Sequence, residues 1–391
     1  MNDAVLVRAA LPLGLLSAAG FLSSAGARVI DPLLHAIATE FGVSVAAVSV
    51  VIAAFTLPYA LSQLLFGPLS DRFGKLRVML GALVGYAVFT AACALAPDLP
   101  ALSVLRACAG AASAGLIPVC MAYIGDAVPY ERRQVVLGRF LTGVVLAQTL
   151  AGPLGGVFGE HAGWRCVFLV LSAGAVCVAV LLALRLPGLP DRRGTGRAFQ
   201  WANYAAIARR RDARLVLLAA ALDGALFVGC FPFLAPYLHE RFDLSYASVG
   251  LVLSCFGVGA WLYTLRVRPM LARLGESGMV LVGGLCMGTG MVLAALSPWW
   301  QVFVPVQLAL GLGFFMLHAV LQARATEMLP EARATAVAAF AFMLFLGQSL
   351  GALAMGAAIA HLGYQRAFLL DAAGILVFAV WLARRRKRPA V

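Results

Sequence analysis

Apolar runs of about 20 residues, the length that carries an α-helix across a hydrocarbon core, recur from one end of this 391-residue chain to the other. Twelve can be marked off: 9–34, 46–67, 77–96, 101–124, 136–158, 165–186, 214–237, 246–266, 278–297, 301–323, 335–359 and 365–383. Lipid offers no partner to a backbone N–H or C=O, so each run must satisfy its backbone internally, as a helix. The expected fold is therefore an all-α membrane protein of twelve transmembrane helices, which the polar interruption and internal repeat below divide into two pseudo-symmetric six-helix bundles. Charge supports this against a soluble fold: 12% of the residues are charged, where soluble domains carry about a quarter.

The net charge of +13 does not point to nucleic acid, because the cations sit in short clusters between apolar runs rather than on one face. Lipid and topology account for them. The eight cysteines all fall inside apolar runs, with no C-x-x-C pair, and read as small core residues. His35, His161, His239, His318 and His361 are scattered, and no G-x-S-x-G occurs. No enzyme, metal or cofactor is expected. The first run continues to about Leu34 without a cleavage site and reads as a spanning helix, not a leader.

The longest polar interruption, 187–213, divides the chain into bundles 1–186 and 214–391, the second ending in a basic tail. With a cytoplasmic N-terminus, 25 of the 30 Lys and Arg fall in or beside cytoplasmic segments; the other five are Arg28, Arg106, Arg165, Arg241 and Arg366. That asymmetry predicts cytoplasmic termini. The halves also repeat. Gly67 to Gly74 aligns with Arg268 to Gly275, Asp126 to Pro129 with Glu327 to Pro330, and Gln148, His161, Gly163 and Phe168 with Gln348, His361, Gly363 and Phe368. One offset of about 200 residues serves all three matches, as expected of parallel copies around a central cavity.

Between the second and third runs lies Gly67-Pro68-Leu69-Ser70-Asp71-Arg72-Phe73-Gly74-Lys75-Leu76-Arg77, read as a loop whose two glycines allow a tight reversal. It resembles the G-x-L-[AS]-D-R-x-G-[RK] signature of the major facilitator superfamily of secondary transporters, with Leu76 at a position usually basic. The resemblance implies that Asp71, with Arg72, Gly67 and Gly74, gates the cytoplasmic mouth by approaching the start of the eleventh helix. Arg132 and Arg133 are candidate partners for Asp71, and a merely topogenic loop is the alternative.

Arg106 lies inside the fourth run, where a cation must face protein or water. Its surroundings resemble the family's L-x-x-x-R-x-x-Q-G pattern, with Ala109 in place of the Gln; Arg106 is expected to assist proton discharge by approaching an acid in one conformation, with an Arg that merely pins helices against carbonyls as the alternative. Gly152-Pro153-Leu154-Gly155-Gly156 resembles the motif of the drug:proton antiporter branch. Physically, Pro153 can kink the fifth helix, while Gly152 and Gly156 permit close approach to a neighbour.

Three acids fall at membrane depth, where desolvation favours the neutral carboxyl and lets it alternate with the charged form. Asp223 has no cation in its own run and leads as the proton site. Asp31 stands three residues after Arg28, so an internal ion pair is its alternative. Asp371 reads as peripheral, since the matching helix of the first half has no acid there, and His318 reads as a core histidine, with a proton group as its alternative. Phe55, Tyr59, Met121, Phe227, Phe231, Trp261, Phe315 and Phe345 are candidates for an adaptable apolar cavity.

The expectation is a proton-coupled exporter of a small, amphipathic, drug-like compound in a bacterial inner membrane, working as a monomer. Its partners are that compound, protons and lipid. Export of a defined sugar or amino-acid derivative is the nearest rival, and a non-transporting receptor on the same fold is the other.

Overall fold

The computed structural model describes residues 12–188 and 201–385. Of the expected linker, residues 189–200 lie outside the described residues, as does the cluster Arg386-Lys387-Arg388; the described remainder is largely helical, with a short helix at Trp201–Arg209 and the seventh spanning helix already under way at Arg211. Among the described residues the spanning helices are α1 (Leu13–Phe41), α2 (Val45–Phe73), α3 (Lys75–Cys93), α4 (Leu99–Ala127), α5 (Val135–Ala162), α6 (Trp164–Arg185), α7 (Arg211–Phe242), α8 and α9 (together Tyr246–Leu296), α10 (Trp300–Thr326), α11 (Thr335–Leu362) and α12 (Tyr364–Arg384). Tyr246–Leu296 is two helices, because Gly275 breaks the helical path with φ 63° and ψ 177°. The count is thus twelve. Being even, it brings both chain ends to one face, called here the terminal face; the other is the distal face.

Helices run well past the apolar windows that announce them. The largest consequence falls on the signature segment: α2 continues to Phe73, so residues 67–73 are the last two turns of a helix, not a loop. Gly67 makes no turn. The reversal rests on Gly74 alone, at φ 97°, a conformation that a side chain would strain.

The internal repeat is written into the backbone. Gly42 (φ 63°) and Asp243 (φ 52°), Gly74 and Gly275, and Gly163 (φ 79°) and Gly363 (φ 76°) are left-handed landmarks separated by 200 or 201 residues. Pro32 and Pro232 each sit in a short 3₁₀ break, Asp31–Leu33 in α1 and Phe231–Phe233 in α7. Packing repeats as well. A Cβ on Gly110 of α4 would stand 2.1 Å from the Phe55 carbonyl oxygen of α2, and one on Gly311 of α10 would stand 2.0 Å from that of Phe256 in α8. Small residues therefore set a close helix crossing at the same place in both halves, as packing within lipid favours.

The halves meet along two seams, α5 against α8 and α2 against α11. Cβ atoms on Gly152 and Gly156 would lie 2.9 Å from Gly250 O and 2.1 Å from Tyr246 O. Across the other seam Thr56 and Ser349 share a 2.7 Å hydrogen bond and Tyr59 packs on Phe345, ring centroids 4.7 Å apart. These contacts occupy the distal half and middle of the helices. Toward the terminal face the same helices expose Leu61 and Leu65, Leu141 and Leu146, and Trp261 and Leu265.

Candidate functional site

The buried charges gather where α1 and α7 lose regular helical form. Asp31 opens the 3₁₀ turn of α1, is 2% exposed, and stands 3.6 Å from Arg28 Nη1. The Arg28 guanidinium lies 4.6 Å from the Phe231 ring centroid, a cation–π contact that reaches across to the other half. Arg28 Nη1 and Asp31 Oδ1 have no hydrogen-bond partner. Both residues line a cavity with Gln148, Gly152, Phe231, Leu253 and Phe256, which leaves about 20 Å³ for the centre of a water molecule. That is room for water and not for a drug-sized ligand. The structure thus brings Asp31 beside Gly152 of the glycine-rich motif.

Asp223 is 1% exposed and its Oδ2 lies 2.8 Å from His318 Nδ1 of α10. His318 stacks on Phe314, centroids 4.9 Å apart, and its side chain keeps 14% exposure. The expected core histidine is therefore the partner of the leading acid, a pairing hidden because 95 residues separate them. Asp223 also ends the regular part of α7: a π-helical turn, Gly224–Val228, follows at once.

Arg106 is held within the first half. Its Nη1 donates to Gly26 O of α1 at 2.8 Å and its guanidinium lies 4.2 Å over Phe55. It pins the stretch of α1 that leads into Arg28 and Asp31. Phe55, expected on the cavity wall, lies under this guanidinium at 1% exposure. Phe227 and Phe231 join Phe256 and Phe314 in one aromatic cluster, which Phe315 borders. Tyr59 and Phe345 form the α2–α11 seam, whereas Met121 and Trp261 are 38% and 56% exposed. Gln307 went unnoticed in the sequence. It is fully buried, both its amide atoms lack partners, and it stands 201 residues after Arg106, so the repeat offset was the signal that could have found it.

At the terminal face Asp71 pairs with Lys75, one turn on, at 3.4 Å, and Lys75 reaches Asp126 of α4 at 2.6 Å. The carboxyl expected to meet Arg132 or Arg133 is thus engaged by Lys75. The second half reverses the charges: Glu276, which follows Gly275 as Lys75 follows Gly74, accepts from Arg324 Nε of α10 at 3.0 Å. A Cβ on Gly67 would find nothing within 4 Å.

At the distal face Glu160 of α5 accepts from the Ala247 N–H in the first turn of α8 at 2.8 Å, where a helix N-terminus favours an anion. His35 is not isolated, as its spacing suggested: its Nδ1 lies 3.3 Å from Glu240 and its ring 4.6 Å from that of His239. Among the described residues no group of three or more His, Cys, Asp or Glu is arranged to hold a metal ion.

The sequence matches the Major Facilitator Superfamily over residues 16–245 and again over 216–391. It is 29% identical over 262 residues to the uncharacterized MFS-type transporter YceJ of Bacillus subtilis, covering 66% of this chain and 67% of that one. With the chloramphenicol resistance protein of Streptomyces lividans it shares 26% over 322 residues, 80% and 81% of the two chains. With the inner membrane transport protein YnfM of Escherichia coli it shares 26% over 340 residues, 86% and 81%. Its fold superposes with a TM-score of 0.80 on an inward-facing bacterial homolog of the human lysosomal transporter Spinster, at 20% identity and covering 97% and 98% of the chains.

Proposed function

As a member of the major facilitator superfamily, the chain is a multi-pass membrane transporter, and we propose that it exports a small, amphipathic compound from a bacterial cytoplasm in exchange for protons. The observation that carries this reading is the buried Asp223–His318 pair, set against the π-helical turn of α7. A carboxyl and an imidazole in contact offer two titratable sites within hydrogen-bond reach of each other, a pair able to take up and pass on a proton. Placed at an irregular helix turn, that change can bias a movable element.

The rest of the machinery follows from the seams. With the terminal face cytoplasmic, the closed distal seams suit a conformation sealed on the periplasmic side. Gly152 and Gly156, with Pro153 between them, let α5 lie against α8 closely enough to seal the periplasmic side. Arg28 reads that closure, since its contact with Phe231 exists only while the halves meet. Arg106 acts on Asp31 by fixing α1 through Gly26. Asp71, Arg72, Gly67 and Gly74 serve the opposite gate, and the empty space around Gly67 leaves room for another helix when that gate closes. Phe227, Phe231 and Phe315, with their aromatic neighbours, supply an apolar surface that suits an amphipathic cargo.

The test is a thermal-shift screen of the purified protein against amphipathic compounds, chloramphenicol among them because one relative is named for resistance to it. Hits are then assayed in proteoliposomes under an imposed pH gradient. Gradient-dependent uphill transport supports antiport; equal rates without a gradient reduce the protein to a facilitator.

A further inference from the structure

Asp371 of α12 lies outside the machinery described above. It is 7% exposed, and its Oδ2 is buried without a hydrogen-bond partner. Its Oδ1 stands 3.3 Å from Cys230 Sγ, in the part of α7 between the π turn and the 3₁₀ turn. Asp31 has Arg28 and Asp223 has His318 as a basic partner; among the described residues Asp371 forms no ion pair.

The same Cys230 sulfur lies 3.3 Å from the Ala225 carbonyl oxygen. A thiol has one hydrogen, so it cannot donate to the carbonyl and to the carboxylate together. Both contacts are satisfied if the thiol donates to Ala225 and the carboxyl donates an O–H to the sulfur. An ionised Asp371 would instead be a buried charge with one weak donor at most, an arrangement that burial strongly disfavours.

Neighbouring charges do not alter the balance. Arg366, on α12 itself, is exposed, as are Arg333 and His361 at the ends of α11. From α9, packed on α12 through Gly284 and Gly288, come Cys286 in mid-helix and Glu276, held by Arg324 at the terminal face. From α7, Glu240, bonded to Tyr364, and Arg241, bonded to Tyr237, lie at the distal end, and Asp223 is engaged by His318. The α12 N-terminus is two turns away at Tyr364, beyond the reach of its dipole.

We propose that Asp371 carries a proton in this conformation and, through Cys230, positions the irregular turn of α7 as a second acid beside the Asp223 pair. The protonation does not depend on the transport reading; only the consequence for coupling rests on it. The turn between Gly224 and Phe233 is then gripped from two sides, by His318 through Asp223 and by α12 through Cys230. Release of the Asp371 proton would leave a buried charge and drive that turn to rearrange.

Infrared spectroscopy of the purified protein at neutral pH tests this without a substrate. A protonated carboxyl has a C=O stretch resolved from carboxylate bands. Wild type should show such a band that Asp371→Asn removes and that Cys230→Ser, which keeps the acid but changes its partner, shifts. Should Asp371→Asn not fold, the shift in Cys230→Ser still decides. Wild-type and Asp371→Asn spectra that superimpose in this region, or a band unmoved by Cys230→Ser, would overturn the assignment. In proteoliposomes carrying a hit of the thermal-shift screen, Asp371→Asn should flatten the pH profile of transport. A band that behaves as expected with an unchanged pH profile would make the proton structural and refute its part in coupling.

Discussion

Replacing Gly156 by alanine should open the distal seam selectively. A Cβ there would stand 2.1 Å from the Tyr246 carbonyl oxygen and 3.1 Å from Ala247 Cα, where ordinary contact begins at 3.4 Å. Both obstacles are backbone, so neither can swing aside, and α5 or α8 must move by about 1 Å, an overpacking that costs about 1–3 kcal/mol. The penalty exists only while the seam is closed. It therefore shifts the balance between closed and open distal faces by about 5–150-fold. Gly110→Ala is the control: its Cβ would intrude equally, 2.1 Å from Phe55 O, but within one half. It should lower thermal stability and leave the conformational balance alone. Spin labels at the exposed Ala162 and Leu362, one on each half, report the distal separation once the eight native cysteines are replaced. Gly156→Ala should add a long-distance population that Gly110→Ala lacks. Identical distance distributions in Gly156→Ala and the parent would refute the seam as the element that moves.

Three further outcomes can be checked. Gly67→Ala, at a helical position with open space around it, should raise thermal stability by about 0.5–1 kcal/mol while slowing transport; a destabilised variant would show that Gly67 is packed in the resting state. Asp126→Asn should cost more stability than Asp71→Asn, about 1 kcal/mol or more, because Lys75 is 2.6 Å from the first and 3.4 Å from the second; denaturant melts with the order reversed would contradict the network. A reporter inserted beside Asp98 should be active only in the periplasm and one fused after Val391 only in the cytoplasm, with swapped signals overturning the orientation.

The architecture was legible because a bilayer leaves a chain few options. Twelve apolar runs imply twelve helices, and the repeat offset that joined Gly67–Gly74 to Arg268–Gly275 returns in the φ angles of Gly74 and Gly275. Local composition misled at the helix ends. Asp71 and Arg72 are polar enough to read as loop, yet α2 carries them because helical backbone bonds persist beyond the apolar core to Phe73. The site was legible as a set of unusual residues and not as a set of contacts. Asp223 stands out as an acid in an apolar run, but its partner His318 lies on another helix, and nothing local in the sequence ties the two. Arg106 likewise announced itself, while the carbonyl that holds it, Gly26 O, belongs to a residue with no distinguishing side chain. Asp371 reads as peripheral by position in the chain; its burial against Cys230 comes from the break in α7, which sequence pattern does not reveal.

The most direct test of the coupling claim is uphill export in proteoliposomes under an imposed pH gradient, measured for wild type, Asp223→Asn and His318→Gln with a hit of the thermal-shift screen. If the Asp223–His318 pair carries the proton, wild type concentrates the compound against its gradient, both variants lose that uphill transport, and both retain downhill exchange. Full uphill transport by either variant would contradict the assignment of the proton to this pair.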